Sequence, residues 1–447
     1  MTYPESKIGE HFRIVKGISY KGAELVSDSD VGLLTIDAFL PGGGYKHGSP
    51  KPYAGSYNEK EVANPSEVLL AMTEQQSGLL ASPLLVPEMR DGFQTLIYSL
   101  DVVKVIPTSN QVVPEFLFNF LRVPLNRRRA AYGDTGSTVQ RLPYEALYEQ
   151  KMFTPPTSQQ HAINKFVRSL DEKIRLNTEI SKTLEAIART IFQSWFIDFD
   201  PVHAKMRGEK PEGMDDATAA LFPDSFEESE LGLIPKGWEV RSLAQFAKTA
   251  IGGLWGKDDE EVDSPNSYFC IRGVDMDDLS LQGFAPRCPT RWAKQVGIDK
   301  RLPSNCDVLI GGSGAGPVAK SILWDDSLTR TFDRQVVYSN FVKRFSCPTE
   351  EHASFLQAHL GEMYESGEIF NFVNGTSVPN LQDQDLLMGK SVAVPSAGVL
   401  ERYNSLVRNA LARKYLGEIK TLAQIRDALL PRLISGELEI PDEMLAS

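Results

Sequence analysis

PPTSQQHAINKFVRSLDEKIRLNTEISKTLEAIARTIFQSWFIDFDP, residues 155–201, reads as one long amphipathic helix with a marked start and a marked stop. Pro155 and Pro156 block helical extension upstream, and Thr157 followed by Gln160 has the spacing of a capping box. Apolar or small residues then recur at Ile163, Val167, Leu170, Ile174, Asn177, Ser181, Leu184, Ala188 and Ile191. Their alternating steps of four and three make a heptad seam. Asn177 and Ser181 soften its middle, and an Asn in such a seam fixes register at some cost in stability. The helix should stop before Pro201, because proline disfavours helical geometry in the residue preceding it. A second helix is expected from Ser396, with Tyr415, Ile419, Leu422, Ile425 and Leu429 at similar spacing, closed by Pro431 and followed by Gly436. The two helices have a natural partner in each other, paired antiparallel.

Outward from the first helix the chain repeats itself. Gly136-Ser137-Thr138-Val139 returns as Gly375-Thr376-Ser377-Val378, an offset of 239, and at that offset Leu142 meets Leu381, Leu147 meets Leu386 and Pro156 meets Pro395. Val68 and Val308 head similar apolar runs at an offset of 240. Each half therefore reads as a mixed α/β unit followed by a helix. Runs such as Val68-Leu69-Leu70-Ala71-Met72 and Asp307-Val308-Leu309-Ile310 suggest strands. Turns at Pro41-Gly42-Gly43-Gly44 and Gly311-Gly312-Ser313-Gly314 interrupt them.

Composition bounds the function. Hydrophobic residues at 42% and charged residues at 24% of 447 suit a water-soluble protein of several domains. No run approaches the ~18 apolar residues of a membrane span. Met1 to Lys7 lacks a basic stretch followed by an apolar one, so no secretory leader is expected and the cytoplasm is the expected location. Cys270, Cys288, Cys306 and Cys347 show no Cys-x-x-Cys spacing and are expected as buried free thiols rather than metal ligands. The net charge of −12 opposes a nucleic-acid partner at first sight. Part of it is concentrated in 201–234, where three basic residues face eight acidic ones, and that segment reads as a solvated acidic linker. Any affinity for DNA must then come from local patches or from partner subunits.

Three runs carry a family resemblance: ARTIFQSWFIDFDPV from Ala188 to Val202, LFPDSF with LGLIPKGWEV between Leu221 and Val240, and RDALLPRLISGEL from Arg426 to Leu438. They resemble, in turn, the central conserved region, the approach to the second recognition domain and the C-terminal conserved region of type I restriction–modification specificity subunits. That family often opens each helix with Pro-Pro-x-x-Glu-Gln. Here the first copy has Gln159 in place of Glu, and the second, Pro395-Ser396-Ala397-Gly398, loses the motif.

The resemblance implies an α+β fold. Two target-recognition domains (1–154 and 235–394) would be joined by antiparallel helices (155–200 and 395–436) forming a coiled-coil spacer, with an internal pseudo-twofold repeat. The linker 201–234 and a tail 437–447 complete the chain. It implies no catalysis of its own. Each domain would read one half of a bipartite target in double-stranded DNA. The helices would dock two methyltransferase subunits, and restriction or translocase subunits could join. S-adenosylmethionine and ATP would belong to those partners, with no cofactor in this chain. About 34 helical residues at ~1.5 Å each give a spacer of roughly 50 Å, on the order of 15 base pairs. A scaffold without its own DNA readout is the alternative.

Enzyme motifs are missing. Thr154-Pro155-Pro156-Thr157 lacks the polar lead and the aromatic of an amino-methyltransferase motif. Gly311 to Gly316 is followed by Pro317-Val318-Ala319 before Lys320, which breaks a phosphate-binding loop. The six histidines show no metal-ligand spacing. Candidate DNA contacts are the cations and aromatics suited to phosphates and base edges. In the first domain these are Tyr45, Lys46, His47, Lys51 and the run Arg127, Arg128, Arg129; in the second, Arg272, Arg287, Arg291, Lys294, Arg330 and Arg334. Trp195, Phe196 and Phe199, read as exposed at the end of the first helix, are candidates for docking a partner.

Overall fold

The computed structural model describes residues 3–73, 78–130, 141–314, 316–375, 377–415 and 418–441. The chain divides into two compact units, Met1–Glu172 with Ala423–Ser447, and Lys173–Leu422.

The first unit holds two four-stranded sheets. One is antiparallel, in the order Phe12–Lys16, Val102–Pro107, Val68–Ala71, Pro83–Leu85. The other runs Lys51–Pro52, Val31–Leu34, Thr95–Tyr98, Val62–Ala63, with its middle pair parallel. All four residues of Val68–Ala71 are buried, because one face meets the helix Pro114–Arg122 and the other meets the core of the second sheet. Full burial of each such Val or Leu contributes ~1.5–3 kcal/mol. Glu5–Lys7 pairs with Lys151–Phe153 across the two ends of the module.

The second unit repeats the plan. An antiparallel sheet runs Lys248–Thr249, Val342–Ser346, Asp307–Gly311, Ser321–Leu323. A three-stranded sheet runs Thr290–Ala293, Asn266–Ile271, Val336–Tyr338, again with one parallel pair. Glu239–Ser242 and Ser391–Val394 close it. Register and chemistry agree at the offset of 240: Val68 lies opposite Val105, and Val308 opposite Phe345. Beside them Lys104 pairs with Glu67 at 3.2 Å, and Arg344 with Asp307 at 3.7 Å. The sequence repeat is thus a repeat of topology.

The helix beginning at Thr157 runs to Phe192. The expected capping box does not form. Gln160 is fully buried, and its amide accepts from the Val113 N–H at 2.9 Å and donates to the carbonyls of Gln111 and Pro155 at 2.7 and 2.8 Å. In the first unit Ile163 and Val167 share a core with Leu430, Leu433 and Ile434, and Asp171 binds Arg426 at 3.0 Å. In the second, Asn177 donates to Glu418 at 3.0 Å and Glu185 pairs with Lys414. Ascending numbers on one helix meet descending numbers on the other, so the pairing is antiparallel within each unit.

Two expectations need correction. The C-terminal helix is two helices, Ala397–Lys414 and Glu418–Ile434. The first ends because Tyr415 turns its ring into the second unit's core against Gly283. The second continues through Pro431 to Ile434, since a proline in the last turn gives up only one intrahelical bond. The segment 201–234 is also folded rather than a solvated loop. It forms helices Asp200–Met206 and Asp216–Ala220 and the hairpin Phe226–Ser229 with Gly232–Pro235. Val202, Phe222 and Ile234 anchor it in the core, while its carboxylates stay outside.

Candidate nucleic-acid interface

In the first unit Gly42, Gly43 and Gly44 take φ of +92°, +107° and +122°, a region glycine enters without a Cβ clash. At Gly43 a Cβ would stand 2.9 Å from Arg122 Cγ, so the turn also lies tight against its neighbour. It returns the chain so that the Tyr45 hydroxyl donates to Asp91 at 2.5 Å, with His47 Nδ1 on the other carboxylate oxygen at 2.8 Å. Burial would raise the Asp91 carboxyl, but the bonds from Tyr45, His47 and the Gly48 N–H hold it below the usual range. Tyr45 and His47 therefore shape the loop. Lys46 projects into solvent, and Lys51 pairs with Asp37 at 2.9 Å.

Arg127, on the helix Pro124–Ala130, is half-buried and donates to the carbonyls of Gly42, Leu121 and Arg122 at 3.3–3.4 Å. Burial, then the neighbouring Arg128, lowers its pKa. It ties the glycine turn to the helix, which leaves Arg128 and Arg129 as the exposed cations of that run.

In the second unit Arg272 makes a bidentate pair with the buried Asp275, both bonds at 2.9 Å, and donates to the Arg287 carbonyl at 2.7 Å. Arg291, expected at the surface, is 6% exposed. It stacks 4.4 Å over Trp255, donates to the carbonyls of Trp255 and Gly256, and pairs with Asp258. Its strand, Thr290–Ala293, points the side chain inward and a ring of acceptors holds it there. Arg287 and Lys294 are exposed, with carboxylates only at 3.6 and 3.8 Å. Arg330 is exposed, and Arg334 is exposed beside Ser267 and the Phe269 ring.

The aromatics at the end of the long helix are not surface groups. At Gln193 the helix widens into a π-helical turn through Ile197, and the inserted residue rolls the next side chains inward. Trp195 and Phe196 are 7% and 3% exposed, packed on Phe222, Phe355 and Tyr403. Phe199, at φ +51°, ends the turn against Trp238. Sequence reasoning missed a different apolar line on the same helix: Leu176, Ile180 and Ile187, 46%, 54% and 50% exposed. Their spacing of four and seven, off the heptad seam, was the available signal.

Cys270 and Cys347 are buried, Cys288 and Cys306 half-buried, and burial pushes the Cys270 thiol up to about 12. Among the described residues no three His, Cys, Asp or Glu side chains converge as a metal site requires, and no helix is long and apolar enough to cross a membrane.

A family model described as the type I restriction modification DNA specificity domain matches residues 90–186. The chain is 23% identical over 405 residues to the type I restriction enzyme HindI specificity subunit of Haemophilus influenzae, covering 76% of this chain and 81% of that one. With the MjaIX specificity subunit of Methanocaldococcus jannaschii it shares 24% over 353 residues, covering 76% and 72%. The crystal structure of a type I restriction–modification S subunit from M. genitalium aligns with a TM-score of 0.51 at 13% identity, over 97% of this chain and 96% of that one. That last likeness is one of fold.

Proposed function

We propose, from this similarity to type I specificity subunits over most of the chain, that the protein is the DNA-specificity subunit of a type I restriction–modification complex. Each α/β module reads one half of a bipartite target in double-stranded DNA, and the chain catalyses nothing itself. The observation that carries the reading is the doubled module. Two copies of one sheet topology, the first followed by the helix Thr157–Phe192 and the second by the helices Ala397–Lys414 and Glu418–Ile434, suit a target with two half-sites. The exposed cations Lys46, Arg128, Arg129, Arg287, Lys294, Arg330 and Arg334 contact DNA, mostly at phosphates.

Two methyltransferase subunits dock on the helices, at the line Leu176, Ile180 and Ile187 rather than at Trp195 and Phe196. Restriction or translocase subunits complete the cleaving form in the cytoplasm. S-adenosylmethionine and ATP are bound by those partners. A scaffold without readout is favoured by one observation, the internal use of Arg127, Arg272 and Arg291 in a chain of net charge −12.

Mapping of DNA methylation in a methylation-free host separates the two. The host expresses the methyltransferase subunit with or without this chain. A two-part motif that appears only with the chain establishes the reader. A stable complex that leaves no chain-dependent motif establishes the scaffold.

A further inference from the structure

In both units three distant segments meet in the same way at the end of one central strand. After Val68–Ala71, the Met72 N–H donates to the Asp101 carbonyl at 2.9 Å, the Leu142 N–H donates to the Met72 carbonyl at 2.8 Å, and Thr73 bridges Arg141. After Asp307–Gly311, the Gly312 N–H donates to the Phe341 carbonyl at 2.8 Å, the Leu381 N–H donates to the Gly312 carbonyl at 2.8 Å, and Ser313 bridges Asn380. Thr73 and Asp101 correspond to Ser313 and Phe341 at an offset of 240, and Arg141 to Asn380 at 239.

Side chains alternate at this junction. Leu142 and Leu381 are buried, at 3% and 0% exposure, so the residue before each faces outward. Arg141 and Asn380 are both exposed, and neither side chain has a partner among the described residues, unlike Arg127, Arg272 and Arg291. Backbone nearby is stripped of bulk. Gly316 lies so close to Gly273 that a Cβ would sit 2.2 Å from its carbonyl carbon, and Gly375 has φ +94°. Phe341, whose carbonyl accepts from the Gly312 and Ser313 N–H groups, is 52% exposed, and Val378, two residues before Asn380, is 62% exposed.

Arginine and asparagine are the side chains whose paired groups match a single base edge in the major groove. Arginine donates twice to guanine O6 and N7; asparagine accepts from adenine N6 and donates to its N7. An apolar neighbour such as Phe341 suits a thymine methyl, whereas the first unit has Asp101 at that place.

We propose that Arg141 and Asn380 are the specificity-determining residues of the two modules, Arg141 reading a guanine in one half-site and Asn380 an adenine in the other. This rests on the DNA-reader function above. The test is the methylation motif left by the intact complex carrying Arg141→Ala or Asn380→Ala. Each variant relaxes one position of one half-site, with base discrimination there falling roughly 5- to 150-fold, and leaves the other half unchanged. Arg141→Met and Asn380→Leu provide a second pair should the first not assemble on gel filtration. Both keep the approximate size of the side chain and neither can hydrogen-bond a base edge, so the same single-position relaxation is expected.

Assembled variants that mark the parent motif with unaltered preference overturn the assignment, and so does equal loss in both halves. In either case the parent motif still stands as evidence of reading. A parent complex that leaves no chain-dependent motif removes the reader function and this assignment together.

Discussion

His359 sits edge-on between the rings of Phe192 and Phe355, at 4.8 and 4.5 Å, with Nε2 unpartnered among the described residues. Burial, and then Lys390, push its pKa down to about 3. A group whose folded pKa lies below its unfolded value of ~6.5 stays neutral in the fold while the unfolded chain takes up a proton. Stability is therefore full above about pH 6.5 and falls as pH drops toward 3, by about 2 kcal/mol at pH 5. All five tryptophans (195, 238, 255, 292 and 324) lie in the second unit, so urea unfolding followed by tryptophan fluorescence reports this unit alone. His359→Leu should flatten the difference between pH 7.5 and pH 5; an undiminished difference would place its origin elsewhere. At this scale the sequence was least informative. Arg128 and Arg291 look alike in a string of letters, yet one points to solvent and the other is enclosed by carbonyls and Trp255. What separates them is the set of acceptors that folding brings from far along the chain.

Elements were more legible, and their ends less so. The heptad seam holds: Ile163, Val167 and Leu170 are buried, and Asn177 makes a cross-helix bond. The break at Tyr415 and the turn at Gln193 escaped periodicity because tertiary packing of aromatic rings decides both. One ion cluster ties the long helix to its neighbours. Asp171 takes both Arg122 nitrogens at 2.6 and 2.9 Å and Arg426 at 3.0 Å. Burial would raise this carboxyl, but the two guanidinium groups hold it below the ordinary range. Asp171→Asn strands the largely buried Arg122 charge. With about a third of the carboxylate exposed, a loss of about 1–3 kcal/mol is expected. Faster hydrogen exchange across 114–122 and 423–434 would register it. For docking, Ile180→Glu with Ile187→Glu should abolish co-elution with the methyltransferase subunit while leaving tryptophan fluorescence unchanged. Retained co-elution would move the docking surface off this line.

At the scale of the whole molecule, the offset of 239–240 was the sequence feature that carried furthest. It marked the doubled topology and, through Leu142 and Leu381, the paired positions of Arg141 and Asn380. The net charge has its own consequence. The isolated chain should bind duplex DNA weakly at 200 mM salt, and most phosphate contacts should come with the partner subunits. Fluorescence anisotropy across 50–200 mM salt should give a log–log slope at least several units steeper for the complex, at ~0.9 per phosphate contact; equal slopes would assign the contacts to this chain. Finally, each module begins and ends in strands that clasp one another, Glu5–Lys7 with Lys151–Phe153 and Glu239–Ser242 with Ser391–Val394. A cassette whose entrance and exit are neighbours can be exchanged whole, provided the incoming module keeps the apolar face that packs on the long helices. A module transplanted in one step then leaves both chain ends where the frame needs them.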